Sequence, residues 1–269
     1  MKHLVMFSGG VGSWAAARRV VNVHGPDDMA LVFADTLIED ADLYRFLGEA
    51  HADIGCELVH LKDGRTPWQV FHDVRLIGNT RIDPCSRVLK RELIRKWLDK
   101  THDPADTIIY LGFDWTEGHR ADRASKYWDP WRVKSPMTNE PYLSKAQMLE
   151  SLADHGMAVP RLYLEGFPHN NCGGFCVKAG QTQFAHLLKM RRSVYLEHEA
   201  EEQAIRGYLD KDVSILRDRA GGGGRGDDNT KPLTMRDLRL QIEHGGRQMA
   251  LYDWGGCGCF DTEGDTNAD

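Results

Sequence analysis

The sequence predicts an α/β fold, a parallel sheet flanked by helices, followed by a smaller, mostly helical region that contains cysteines. Short apolar runs alternate with segments of helical periodicity, the first run is followed at once by a glycine turn, and each run ends in a polar loop. His3 to Phe7 reads as a buried strand, Ser8-Gly9-Gly10-Val11-Gly12-Ser13 as a turn, and Trp14 to Val23 as a helix. A second strand, Ala30 to Ala34, ends at Asp35-Thr36; Ala41 to Ile54 reads as a helix and Glu57 to Leu61 as a third strand. Ser86 to Lys100 is a helix rich in Arg and Lys, and Thr107 to Leu111 a fourth strand that runs into Gly112-Phe113-Asp114-Trp115-Thr116-Glu117-Gly118-His119-Arg120. Open parallel sheets bind ligands beyond the carboxyl ends of their strands, so these loops are expected to line one pocket.

Beyond Trp128-Asp129-Pro130-Trp131 the pattern changes. Ser144 to His155 is helical with Ser144 as N-cap, and Pro160 to Phe167 leads into Cys172 and Cys176. Thr182 to Leu209 reads as one helix, Gly221 to Asp228 as a flexible loop, and Thr234 to His244 as a short helix; the polar residues after Phe260 are expected to fray. The division expected is an α/β domain over 1–165 and a cysteine-containing region over 166–269.

Composition narrows the function. The 269 residues carry 34 Lys+Arg and 40 Asp+Glu, a formal charge of −6, with 41% hydrophobic and 28% charged residues. That suffices for a sizeable core and excludes disorder over the whole length. Mild acidity argues against nucleic-acid binding by bulk charge and leaves a polynucleotide possible as a substrate met by a local basic face. No apolar run approaches the ~20 residues of a membrane span, and Met1 to Phe7 runs straight into the glycine turn, so neither a membrane segment nor a secretory signal is expected. Six cysteines are too few for a disulfide scaffold, and a reducing, cytoplasmic compartment is expected.

Glycines at 9 and 10 let backbone N–H groups approach an anion, the following helix adds its positive end, and Ser8 and Ser13 add hydroxyls. The turn matches neither the Walker pattern nor the dinucleotide fingerprint, and such a turn is also plain geometry between strand and helix. Asp35 and Glu117 stand at strand ends, where a carboxylate is either a cap or a Mg²⁺ ligand beside phosphate. Among the basic residues of the Arg87 to Lys96 helix, the first turn points towards phosphates in one reading, and the row is a solvated face in the other. Cys172 and Cys176, four apart in glycine-rich turns, are in one reading the core of a zinc or four-iron site that needs three or four thiolates, and in the other small buried residues or free thiols, which Cys56 fits best.

Taken together, Phe7-Ser8-Gly9-Gly10-Val11-Gly12-Ser13, Phe33-Ala34-Asp35-Thr36, Cys85-Ser86-Arg87-Val88-Leu89-Lys90, the Gly112 to Arg120 segment and Tyr163-Leu164-Glu165-Gly166-Phe167 before Cys172 resemble the adenine nucleotide alpha-hydrolase-like superfamily with its PP-loop. Within it they are most similar to the phosphoadenosine phosphosulfate (PAPS) reductase-like branch. The resemblance spans roughly residues 3 to 200. It implies a Rossmann-like (HUP-type) sheet, with Ser8, Gly9, Gly10, Gly12 and Ser13 on phosphate. Asp35, Thr36, Gly112, Glu117 and Lys90 would complete a site for ATP with Mg²⁺, and Arg120 would assist catalysis. It further implies that Cys85 joins Cys172 and Cys176, with Cys257 or Cys259 closing a 4Fe-4S or zinc site and the cysteine left over acting as nucleophile or persulfide carrier. Gly12 stands where many ATP-cleaving members have Asp, and Cys257-Gly258-Cys259-Phe260 lacks the His of the sulfonucleotide reductase tail.

The function expected is cleavage of ATP between the α- and β-phosphates to adenylate an acceptor, linked to sulfur transfer or nucleic-acid modification, with a nucleic acid or a sulfur-donor protein as partner. A sulfonucleotide reductase acting on PAPS or its unphosphorylated relative, and a non-catalytic nucleotide sensor, are the alternatives.

Overall fold

The computed structural model describes residues 1–218, 230–245, 253–256 and 260. Five parallel strands, β1 (Lys2–Met6), β2 (Met29–Asp35), β3 (Glu57–Lys62), β4 (Thr107–Tyr110) and β5 (Arg132–Lys134), form one sheet in the order β3-β2-β1-β4-β5. The fold is therefore the expected α/β class. The chain winds outward from β1 through β2 to β3, then returns to place β4 on the other side of β1, so the strand order reverses between β1 and β4. Every residue of β2 is buried, as a strand covered on both faces requires.

Helix α1 (Val11–His24) follows the glycine turn, and α2 (Ala41–Ile54) starts at Asp40, whose side chain accepts the Asp42 N–H, and stops at Gly55 in the left-handed region. The main core lies between these helices and the sheet, with Phe7, Trp14, Phe33, Leu43, Phe46 and Tyr110 at its centre. Lys145–Asp154 is capped by Ser144 as expected, through a capping box with Gln147.

Four differences from the sequence reading have physical reasons. The expected Thr182 to Leu209 helix is two helices, Gln181–Met190 and Arg192–Leu209, broken at Arg191 (φ −142°, ψ 60°); no Gly or Pro marks the break, and apolar periodicity continues through it. The Ser86 to Lys100 helix contains a π-helical stretch, Arg87–Glu92, before Leu93–Thr101. Strand β5 is Arg-Val-Lys, too short and polar to register as an apolar run. Helix α3 (Pro67–Val74) is an element the sequence reading lacks; it starts at a capping box between Thr66 and Gln69 with proline in its first turn. The Gly221 to Asp228 loop lies outside the described residues.

By their contacts the residues group into two compact units. One holds Met1–Gly64 and Ser86–Gly173, with Phe260; the other holds Arg65–Cys85 and the described residues from Gly174 to 256. The second unit has its own core. Trp68 donates its Nε1–H to the buried His198 Nδ1 at 2.9 Å, Phe175 stacks on the His198 ring at 3.8 Å, and Phe184 meets Phe175 edge-on. Burial lowers the His198 pKa to about 4, so the ring is neutral and its Nδ1 is available as the acceptor.

Candidate functional site

All residues of the site described here belong to the first unit. Gly9 has φ +79°, and a Cβ there would stand 2.7 Å from the Leu43 side chain, so both backbone and packing require glycine. Gly10 is the N-cap of α1 and leaves its first turn free of any acidic side chain. Across the reversal point, a Cβ on Gly112 would lie 2.7 Å from the Ser13 nitrogen and 2.8 Å from the Gly12 carbonyl, and one on Gly12 would lie 3.0 Å from the Gly112 oxygen. The loops after β1 and β4 thus meet backbone to backbone. The positive end of α1 opens onto this seam, with Ser8, Gly10 and Gly12 half-buried there.

Hydrogen bonds fix the turn. Ser13 Oγ donates to the Gly10 carbonyl at 2.7 Å, and the contact between Ser8 Oγ and Ser13 Oγ is long, at 3.5 Å. The Val11 N–H donates to the Tyr163 hydroxyl at 3.2 Å, and the buried Asn170 Nδ2 donates to the Gly9 carbonyl at 2.8 Å. The segment ahead of Cys172 is therefore pinned directly onto the glycine turn. Asn170 Oδ1, also buried, has no hydrogen-bond partner among the described residues.

At the end of β2, Asp35 is buried and accepts from the Leu37 N–H (2.8 Å), the Tyr44 hydroxyl (2.9 Å) and His60 Nε2 (2.9 Å). Burial opposes its ionisation, yet these donors hold its carboxyl below the usual range. Thr36 donates to Glu39 Oε1 at 2.9 Å. The Glu39 side chain is wholly buried; Lys90 Nζ lies 3.8 Å from Oε1, and the Cys172 N–H donates to Oε2. Burial pushes the Glu39 carboxyl up, and the Lys90 ammonium opposes that shift. Lys90 is thus a buried counter-ion here, next to an equally buried Arg91, whereas Arg87 and Lys96 are exposed. Arg95 donates to the Tyr127 carbonyl at 2.6 Å.

Beyond β4, Asp114 and Glu117 form a capping box for the turn Trp115–Glu117. Glu117 also pairs with Arg120, whose guanidinium lies over the Phe113 ring at 4.5 Å. The carboxylates at 35 and 117 are both engaged in caps, turns and ion pairs. Trp115 is half exposed against Tyr142, and His119 is exposed.

Cys172 is half-buried in the first unit; Cys85 and Cys176 belong to the second, and Cys257 and Cys259 lie outside the described residues. Among the described residues no group of three or more His, Cys, Asp and Glu is placed to hold a metal ion. Cys56 is buried, and burial pushes its thiol up to about 11, the state of an inert core cysteine.

Glu39, Asn170 and, as a partner of the glycine turn, Tyr163 were not singled out from the sequence. An acid before a helix cap reads as solvated, and Asn beside a cysteine reads as loop; only Tyr163 carried a signal, through the Tyr163 to Phe167 segment.

No protein-family model matches the chain, and no curated protein sequence matches it. Among solved structures the chain is similar to the crystal structure of phosphoadenylyl-sulfate (PAPS) reductase from Candida auris in its phosphate complex, with 13% identity and a TM-score of 0.45 over 62% of this chain and 79% of that one.

Proposed function

We propose that this chain binds ATP with Mg²⁺ at the glycine turn, cleaves it between the α- and β-phosphates and adenylates an acceptor. The observation that carries this reading is the seam at the reversal point. There a helix N-terminus and a glycine turn with no room for side chains face the carboxyl edge of a parallel sheet, where ligands of such sheets bind. In this reading the N–H groups of Val11 and Gly12 and the α1 dipole stabilise the departing pyrophosphate. Catalysis then consists of positioning and charge stabilisation. Val11 already donates to Tyr163, so an incoming phosphate oxygen exchanges with that hydroxyl. Asp35 or Glu117 would hold Mg²⁺, which would supply positive charge to the phosphates.

Ser8→Ala is expected to lower pyrophosphate release from ATP at least tenfold, read by coupled pyrophosphate assay with AMP formation by chromatography. Ser13→Ala acts through the turn, because its hydroxyl holds the Gly10 carbonyl, and is expected to weaken ATP binding as well. Release unchanged in both variants overturns the assignment.

Sulfur transfer through a cysteine-bound metal belongs to the same proposal and is tested by iron, sulfide and zinc analysis of protein purified without oxygen. Stoichiometric iron and sulfide support it. Zinc alone shifts the reading to plain adenylation or sensing, and absence of metal retires the shared site. A nucleic acid is the acceptor in this reading and a sulfur-donor protein a further partner; the acceptor is identified by whether its addition stimulates pyrophosphate release from ATP.

A further inference from the structure

We infer that Glu39 is the positioning residue of Cys172: one buried carboxylate holds the cysteine backbone, and with it the thiol, against the loop that follows β2. The inference rests on the reading that Cys172 works at this edge of the sheet, as a thiolate ligand or a nucleophile.

Two hydrogen bonds and one longer ion pair converge on the two oxygens of Glu39. The Thr36 hydroxyl (2.9 Å) and the Lys90 ammonium (3.8 Å) meet Oε1, while the Cys172 N–H meets Oε2. Both oxygens of the buried side chain are thus engaged, and Lys90, itself almost fully buried, lies within ion-pair distance of it. The anchored residue needs the anchor. Cys172 has φ +53°, in the left-handed region that a residue with a side chain seldom enters, and Gly173 follows at φ +59°. A Cβ on Gly173 would lie 2.8 Å from the Ile38 carbonyl, so the 172–173 backbone is laid directly on the 38–40 loop. Asn170, two residues earlier, ties the same segment to the Gly9 carbonyl. The segment is therefore held relative to the β1 and β2 loops together, and Glu39 supplies a bond to the backbone of Cys172 itself.

Glutamine reproduces this carboxylate only in part: with its carbonyl on the Cys172 N–H, its NH₂ can be accepted by the Thr36 hydroxyl but leaves the buried Lys90 ammonium without a counter-charge, whereas alanine removes every one of these contacts. The consequence is local: the 172–173 backbone is released, and the thiol becomes more accessible.

The test is iodoacetamide labelling of the full chain, with the rate at each cysteine read by peptide mass spectrometry. In Glu39→Ala, Cys172 is expected to alkylate at least fivefold faster than in the unaltered protein, while buried Cys56 keeps its rate. Thr36→Val, which removes one of the two hydrogen-bond donors and leaves the carboxylate, is expected to give a smaller rise. A Cys172 rate within twofold in both variants overturns the inference; so does a parallel rise at Cys56, which reports general loosening rather than positioning. Pyrophosphate binding by calorimetry on the same samples reads the nucleotide proposal separately, because labelling needs no bound nucleotide.

Discussion

Gly112→Ala is expected to weaken nucleotide binding at least a hundredfold while the chain stays folded. The added methyl would be 2.7 Å from the Ser13 nitrogen and 2.8 Å from the carbonyl carbon and oxygen of Gly12. Those atoms are backbone and cannot rotate away, so the β1 and β4 loops must separate. Separation displaces the first turn of α1, whose N–H groups are the proposed phosphate donors, and catalytic geometry tolerates shifts of only about 0.5 Å. The expected order of effect is Gly112→Ala, then Gly12→Ala, whose methyl meets a single oxygen at 3.0 Å, then Gly118→Ala, which has open space around it and serves as control. Calorimetry with ATP and Mg²⁺ reads the affinities, and circular dichroism reads the fold. Equal affinity in Gly112→Ala and Gly118→Ala contradicts the placement of the site on this seam.

The same contact gives a physical account of Gly12. The Cβ of any side chain there would stand 3.0 Å from the Gly112 carbonyl oxygen, a steric conflict with backbone that glycine avoids. Gly12 and Gly112 are thus complementary halves of one seam, a relation invisible when each is read as a member of its own motif.

What the sequence made legible follows from the range of the interactions involved. Strands β1 to β4, α2 with its bounds and the Ser144 cap are local: apolar runs, helical periodicity and a cap three residues from its partner. Parallel pairing followed from alternation, because helices between strands demand it, whereas the strand order β3-β2-β1-β4-β5 rests on long-range pairings that alternation does not fix. By contrast, Glu39 binds residues 51 and 133 positions away, and Asn170 binds Gly9 across 161 positions. No spacing rule reaches that far. Lys90 stands in a basic row that composition reads alike throughout, yet within the π-helical stretch it and Arg91 are buried and its ammonium lies near a buried acid, while Arg87 and Lys96 are exposed.

Glu202→Ala is expected to be the most destabilising single change in the second unit. The side chain is fully buried on the helix Arg192–Leu209, where Oε1 accepts the Ile215 N–H at 3.1 Å and Oε2 the Met235 N–H at 2.6 Å. It joins that helix to the starts of β6 (Leu216–Asp218) and of the helix Met235–Glu243, and Tyr195 adds a hydroxyl bond to the Met235 carbonyl. Alanine orphans two buried N–H groups at about 1–3 kcal/mol each and leaves a cavity besides. Burial raises the Glu202 pKa to about 7, against 4.5 for an ordinary glutamate. A carboxyl that holds its proton more tightly when folded stabilises the folded state fully below pH 4.5, and that contribution falls away as pH rises to about 7. Glu202→Gln keeps one acceptor and removes the titration, so it is expected to be less stable than the unaltered chain at pH 5 and to lack the decline between pH 5 and 7. Denaturant unfolding at the two pH values, with amide exchange at Ile215 and Met235 as the local readout, separates these effects. An unchanged pH slope in Glu202→Gln assigns the titration to another group, and unchanged exchange in Glu202→Ala removes Glu202 as the clasp of this unit.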